Sequence, residues 1–424
     1  MIITVDQLMQ RLQSALGSDS VSANIDTLAV HRIDGVTPHL VTTPASGEQV
    51  GAVLSACSEA RATVIPWGGG TAMALGNSPR QTAVVIKLEK LNRVIEHDSA
   101  NLTVTAQCGM GLNALQSALA TQKQFVPIDA PFPESATLGG IVAANLNGPR
   151  RGFYGSVRDL VIGMKVVLAS GESIKAGGKV VKNVAGYDMC KLFVGSLGTL
   201  GIITEVTFRV APMAESAATF IGRGTPAQGQ RFIEELSLSR LLPTAVFLLG
   251  ERTQKDWRIA AWCEGFTETV ERHLREFQAM AGRLGMTQEV ARDEHHIELW
   301  ESARDLPLRP DRVVYRVILP RAATFGFLER VKAWDSSQII SDTSMGIIWL
   351  EFPASKTALT RLSEVESLAR ERRGHAVVFS APAALKSAVH IWGLSPPTLS
   401  LMREIKHQFD PHELLNPGRF VGGL

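Results

Sequence analysis

Two stretches of nearly side-chain-free chain, about sixty residues apart, limit what this polypeptide can fold into. The first, Pro66, Trp67, Gly68, Gly69, Gly70, Thr71, Ala72 and Met73, follows the short apolar run Ala62 to Ile65 and leads to Gly76 and Asn77. That order predicts a strand feeding a tight loop. Three consecutive residues without Cβ can aim successive backbone N–H groups at one point, which suits a phosphate or pyrophosphate. A surface turn that needs positive φ is the plainer alternative.

The second stretch runs from Pro131 to Pro212. In it, Thr137, Gly139 and Gly140 open the small-residue run Ile141 to Asn145, with Ala143 at its centre, where little stands between the main chain and a large flat ligand. Gly195, Gly198 and Gly201 then lead into Ile202, Thr204, Val206, Phe208 and Val210, which alternate with Glu205, Thr207 and Arg209. Period two predicts a half-buried strand.

Two common nucleotide motifs are excluded. The Gly68 loop lacks the G-x-G-x-x-G spacing of a dinucleotide-binding turn, since Met73 stands where the third glycine is needed. Before Gly178 and Lys179, Ser173 takes the place of the first P-loop glycine, and Val180 stands where Ser or Thr is needed.

Taken together, residues 36 to 212 resemble the FAD-binding domain of the vanillyl-alcohol oxidase and p-cresol methylhydroxylase (PCMH) type of flavoprotein. Within that group, Gly178 to Glu205 (GKVVKNVAGYDMCKLFVGSLGTLGIITE) is most similar to the FAD-binding E subunit of glycolate oxidase. The stretch FDPHELLNPGRF, Phe409 to Phe420, is similar to the segment that returns from the cap to the flavin domain.

The resemblance implies an α+β fold: a two-part PCMH-type FAD-binding domain over 1–212, a cap over 213–394 and a returning segment over 395–424. It implies FAD contacts at Pro66, Trp67, Gly68, Gly69, Gly70, Thr71, Ala72 and Met73. Further contacts fall at Thr137, Gly139, Gly140, Ala143 and Asn145, and at Gly198, Gly201 and Ile203. Gly155 and Asp159 are placed along the same wall, although Asp159 is equally suited to capping a turn. Some members tether the flavin to a histidine in the first loop; PWGGGTAMALGN has none, so the expected FAD is non-covalent. Lys182, Asn183, Tyr187 and Asp188 are similar to a flavin-side loop of the family, with an ordinary surface turn as the alternative.

The implied chemistry is oxidation of a 2-hydroxy acid, glycolate to glyoxylate in the nearest group, with FAD as hydride acceptor and a cation on the carboxylate. Implied partners are a larger FAD-linked subunit and an iron–sulfur subunit. The histidine-rich H-G-D-G-N motif of many catalytic relatives is missing, so no metal ligands and no catalytic base are assigned. Arg309, Arg312 and Arg316 are candidates for the carboxylate clamp. A non-catalytic relay subunit and a stand-alone D-lactate dehydrogenase remain alternatives.

Composition narrows the class. The 424 residues are 45% hydrophobic with a formal charge of +2, and the basic residues are scattered, which leaves no footprint for nucleic acid. Apolar runs fall short of a membrane helix, and MIITVDQLMQRLQ lacks the pattern of a secretion signal. A cytoplasmic location is expected, with any membrane attachment made through partners. Cys57, Cys108, Cys190 and Cys263 are isolated, which fits a reducing compartment. Cys57 lies at helical spacing from Val50, Val53 and Leu54, and Ser46 with Gln49 forms a candidate capping box. His295 and His296 sit among charges and read as solvated.

After Pro212, strands are predicted at 246–249, 257–263, 312–319, 346–352 and 375–380, and helices at 267–283 and 357–373. This alternation describes an α+β cap with a largely antiparallel sheet. Met402, Ile405 and Phe409 form a last helical stripe, ended by Asp410 and Pro411.

Overall fold

Ser46 Oγ accepts from the Gln49 N–H at 3.2 Å and starts the helix Gly47–Ala60, which buries Val50, Val53, Leu54 and Cys57. The Gln49 side chain accepts from Ala45 N instead of Ser46 N, so the expected box is closed one residue early. Burial raises the Cys57 thiol pKa to about 12, as a core residue requires. The helix packs on a small sheet ordered Val21–Ser22, Leu40–Thr42, Val84–Lys87, Val64–Trp67, whose last three strands are parallel. This computed structural model describes residues 4–178, 187–251, 256–334, 336, 338–386 and 389–424.

A second, antiparallel sheet follows, ordered Val94–Asp98, Thr103–Gln107, Ile202–Arg209, Val161–Val167, Ser173–Gly177. Its central strand is more buried than period two predicted. Val206 and Phe208 enter one core cluster and Thr204 is buried on the same side as expected, but Thr207, on the opposite face, is buried as well. Neighbouring strands replace water as their partners: Thr207 Oγ1 lies 2.9 Å from Thr105 Oγ1, and Glu205 pairs with Lys165 at 2.7 Å. A polar face is no guide to solvent where cross-strand partners satisfy it.

The cap is an eight-stranded, wholly antiparallel sheet. Its order is Thr287–Ala291, Ser216–Gly224, Trp257–Gly265, Ala245–Glu251, Gln338–Asp342, Ile347–Pro353, Arg312–Ile318, His375–Ser380. One face carries the helices Pro226–Leu238, Thr267–Arg283, Thr324–Val331 and Leu362–Glu371, joined in one core through Phe232, Phe277, Phe327 and Val365. On the other face Phe247, Val314 and Ile340 pack with Trp300 of the helix Asp293–Asp305. His296 is buried on that helix, with Nδ1 2.7 Å from Thr219 Oγ1, which corrects its reading as solvated. It lies four residues before Trp300 and shares the inward stripe despite charged neighbours.

Residues after the cap return to the first sheet. Leu414 O accepts from Val64 N and Asn416 N donates to Val64 O, both at 2.8 Å, so the chain around Leu415 runs parallel beside Val64–Trp67.

Candidate functional site

The two glycine stretches meet. A Cβ on Gly69 would stand 1.7 Å from Ser135 O, and one on Gly68 would stand 2.1 Å from Thr137 Oγ1. Only Gly70 of the triplet needs positive φ, at +80°. Close approach, more than turn geometry, explains the sequence here. Met73 N and Leu75 N turn back onto Gly70 O and Ala72 O, but among the described residues no acceptor faces the N–H groups of Gly68, Gly69, Gly70, Thr71 or Ala72. Five consecutive unpaired amides form a nest for an anion.

A narrow cleft, with a cavity volume of about 90 Å³, runs from this loop between the two halves of the glycine-rich domain. Pro66 through Met73 line it, with Thr137, Gly139, Gly140, Ala143, Gly198, Gly201 and Ile203. Three expected residues stand elsewhere. Asn145, at φ +50°, turns into the adjoining cap cavity. Gly155 and Asp159 line neither space: the Asp159 carboxylate accepts from Ser156 Oγ at 2.6 Å and Ser156 N at 2.9 Å, closing a capping box that lowers its pKa. The turn-capping alternative is the one formed. Lys182 and Asn183 lie outside the described residues. Tyr187 is 96% exposed, and Asp188 pairs with Lys191 at 3.1 Å.

Asn416 and Arg419 also line the cleft and were not anticipated. Both are buried, and Arg419 Nη2 donates to Met73 O at 2.8 Å and to Leu75 O. The NPG turn was visible in the sequence, but its pairing with residues near 73 is long-range. Beside it, buried Lys386 Nζ donates to Asp34 Oδ2 at 3.0 Å and to Ala74 O and Gly76 O. Two cations thus hold the far end of the first loop.

Past Ala144 and Leu197, which line both spaces, lies a cavity of about 760 Å³ walled by the cap. Arg316 projects there with its Nε buried and unpartnered, its guanidinium carbon 4.8 Å from the Phe379 ring centroid. Burial, then the charge of Arg151, push its pKa down to about 10. The other two candidates have partners: Arg309 meets buried Glu351 at 2.7 Å, and Arg312 meets Asp311 at 3.5 Å. Arg151 has an unpartnered buried Nε as well. Near it, burial lifts the Asp342 carboxyl to about 6. His375, at the cavity rim, has its pKa lowered by partial burial and then by Arg316.

FAD fits these features. Its pyrophosphate supplies the acceptors that five unpaired amides lack, and a flat ring can lie along walls of glycine and alanine. Residues 38–177 match the family model described as an FAD binding domain, and 386–420 match that of the FAD linked oxidases, C-terminal domain. The architecture is a two-domain, PCMH-type FAD-binding one.

The flavoprotein is related to glycolate oxidase subunits. It is 29% identical over 335 residues to glycolate oxidase subunit GlcE of Escherichia coli (strain K12), covering 78% of this chain and 85% of that protein. It is 27% identical over 418 residues to glycolate oxidase subunit GlcD of Bacillus subtilis (strain 168), covering 90% and 88%. Substrate-bound p-cresol methylhydroxylase shares the fold, with a TM-score of 0.74 at 17% identity, covering 98% of this chain and 96% of that one. Both matched family models belong to flavin-dependent oxidoreductases. No helix among the described residues is long and apolar enough to cross a membrane.

Proposed function

We propose that the flavoprotein oxidises a small 2-hydroxy acid to the 2-oxo acid, with glycolate and glyoxylate as the pair, inside a multi-subunit complex. A larger FAD-linked subunit and an iron–sulfur subunit are the partners we assign, because two of the relatives of near-equal length are named as glycolate oxidase subunits. Any attachment to the inner face of a membrane is made through them. Residues 1–212, 213–394 and 395–424 are the proposed flavin domain, cap and returning segment.

The observation that carries this reading is Arg316, a guanidinium at the cap side of the cleft with no counter-ion among the described residues. A buried charge without a partner is costly, and a ligand carboxylate removes the cost. Bound FAD, held non-covalently by the cleft-lining residues, supplies the hydride acceptor. Arg316 takes the carboxylate of the acid, and Arg151, near enough to lower the Arg316 pKa although shared with Asp342, adds to the positive potential that draws the anion in. Phe379 and Trp392 give the same cavity apolar walls that restrict water.

The test is anaerobic addition of glycolate or D-lactate to the purified flavoprotein, alone and with its partner subunits, while the flavin absorbance is followed. Bleaching by glycolate with the chain alone supports catalysis here. Bleaching only with the larger subunit present moves hydride transfer to that subunit and leaves this chain an electron relay. Preferential bleaching by D-lactate without partners overturns the assignment in favour of a stand-alone dehydrogenase.

A further inference from the structure

Arg316 does not face the cap cavity alone. In the pairing of Arg312–Ile318 with the edge strand His375–Ser380, Arg316 stands opposite Val377 and Ile318 opposite His375. His375 therefore lies on the same face of the sheet as Arg316, one diagonal step away, a separation of roughly 7–8 Å between such positions. Both side chains line the cavity of about 760 Å³. The imidazole has no hydrogen-bond partner among the described residues. Of the side chains that line this cavity, two can take up a proton near neutral pH, His375 and Glu366. Glu366 is already engaged. Its Oε1 accepts from Leu394 N at 3.1 Å, and it belongs to the helix Leu362–Glu371, which packs on the other face of the sheet. Asp342 does not line the cavity.

Electrostatics suits the same role. Burial, then the charge of Arg316, lower the His375 pKa, so the imidazole is unprotonated at neutral pH and free to accept. Of the charged groups that share the cavity with it, Arg316 on the neighbouring strand and Glu366 and Arg370 on the helix, Arg316 is the one whose charge acts on it. Resting on the oxidation proposed above, we infer that His375 is its catalytic base, taking the hydroxyl proton of an acid whose carboxylate is held by Arg316. In a 2-hydroxy acid the carboxyl group and the hydroxyl-bearing carbon are bonded to each other, so one small molecule can span two side chains set a diagonal apart. The O–H bond breaks toward the imidazole while the carbinol carbon gives up its hydride and the C=O bond of the 2-oxo acid forms. Bound FAD supplies the hydride acceptor. Substrate also primes its own base. A carboxylate seated on Arg316 cancels the charge that depresses His375, so the imidazole gains proton affinity only when the acid is in place.

Two measurements on the full chain test this. In protein labelled at histidine Cε1, the His375 signal, identified by its loss in His375→Gln, is titrated by NMR with and without oxalate, which offers carboxylates and no hydrogen to transfer. It should titrate below the ordinary histidine value of 6.5 and move up when oxalate is added. In Arg316→Met it should start higher and ignore oxalate. The second measurement is anaerobic bleaching of the FAD-loaded chain by glycolate or D-lactate, alone and with its partner subunits. His375→Gln should bleach about a hundredfold more slowly and lose the acid limb of the pH profile. Its affinity for oxalate, read from the flavin spectrum, should stay within about threefold of the wild type, because the carboxylate contact is intact. A bleaching rate changed by less than about threefold would overturn the inference, as would a slow variant that keeps the acid limb, the mark of a merely structural histidine. So would a His375 pKa indifferent to oxalate. Wild-type protein bleached by no 2-hydroxy acid, alone or in company, would sink the oxidation itself and the base with it, whatever the NMR titration shows.

Discussion

Arg150 Nη1 donates to the Glu264 carboxylate at 3.2 Å, and through this bond the flavin domain grips the cap sheet. The same guanidinium is held by Asp129 through Nε at 3.0 Å and lies 4.7 Å from the Trp262 ring centroid. Tyr154 adds a second bond to Glu264, at 2.5 Å. A planar fork shared between two carboxylates and an aromatic face is not reproduced by an ammonium group. Arg150→Lys should therefore cost about 2–4 kcal/mol, read as a lower midpoint in urea unfolding, because Asp129 and Glu264 are left buried with an ill-fitting partner.

Gly69 tests the meeting of the two glycine stretches. Even a methyl group at this position must displace the Ser135 carbonyl, which it would approach to 1.7 Å. Gly69→Ala should release FAD on gel filtration and lower the melting temperature by several degrees. Gly282→Ala is the matched control. It lies in the helix Thr267–Arg283 with nothing within 4 Å of the added Cβ, and should stabilise the protein by about 0.5–1 kcal/mol.

Removing Arg316 should separate stability from function. Without ligand, its buried Nε has no partner, so Arg316→Met is expected to unfold at higher denaturant, by about 1–2 kcal/mol. The same variant should keep FAD yet need at least about tenfold more 2-hydroxy acid for half-maximal bleaching. Arg309→Met should leave that concentration unchanged, since Arg309 is engaged with Glu351.

Asp342 predicts a pH slope in stability. Burial lifts its carboxyl to about 6, well above the ordinary 3.8 of an aspartate. Between those two values the folded chain keeps a proton that the unfolded chain has released, so stability falls as pH rises from about 4 to about 6, by on the order of 3 kcal/mol. Asn in its place can still accept from Ser344 N, Ser344 Oγ and Met345 N through its amide oxygen. Thermal melts of Asp342→Asn should lack this slope and exceed the wild type at pH 7.5 but not at pH 4.

The features read correctly from sequence are those with local causes. The Gly68 loop, the helix Thr267–Arg283 and the antiparallel cap all follow from chain punctuation and periodicity within a few turns. Strands Ser216–Gly224, Thr287–Ala291 and Gln338–Asp342 escaped. Thr287–Ala291, for example, is an edge strand exposed along most of its length, with no apolar alternation to reveal it. The helix expected over 357–373 breaks at Arg361 into Lys356–Thr360 and Leu362–Glu371. In the site, Gly155 and Asp159 were misplaced because a Ser-x-x-Asp capping box and a ligand wall draw on the same residue types. Arg419 and Lys386 could not be placed from local pattern, since their carbonyl partners lie more than 300 positions away.

The pairing of Val64 with the chain around Leu415 makes this architecture slow to complete at the ribosome. Arg419, which anchors the carbonyl of Met73, is synthesised 346 residues later, so the sheet that holds Val64 waits with an open border until the chain around Leu415 has emerged. Cofactor capture is then expected to trail synthesis of the loop itself, since the turn that seals it is made those 346 residues later.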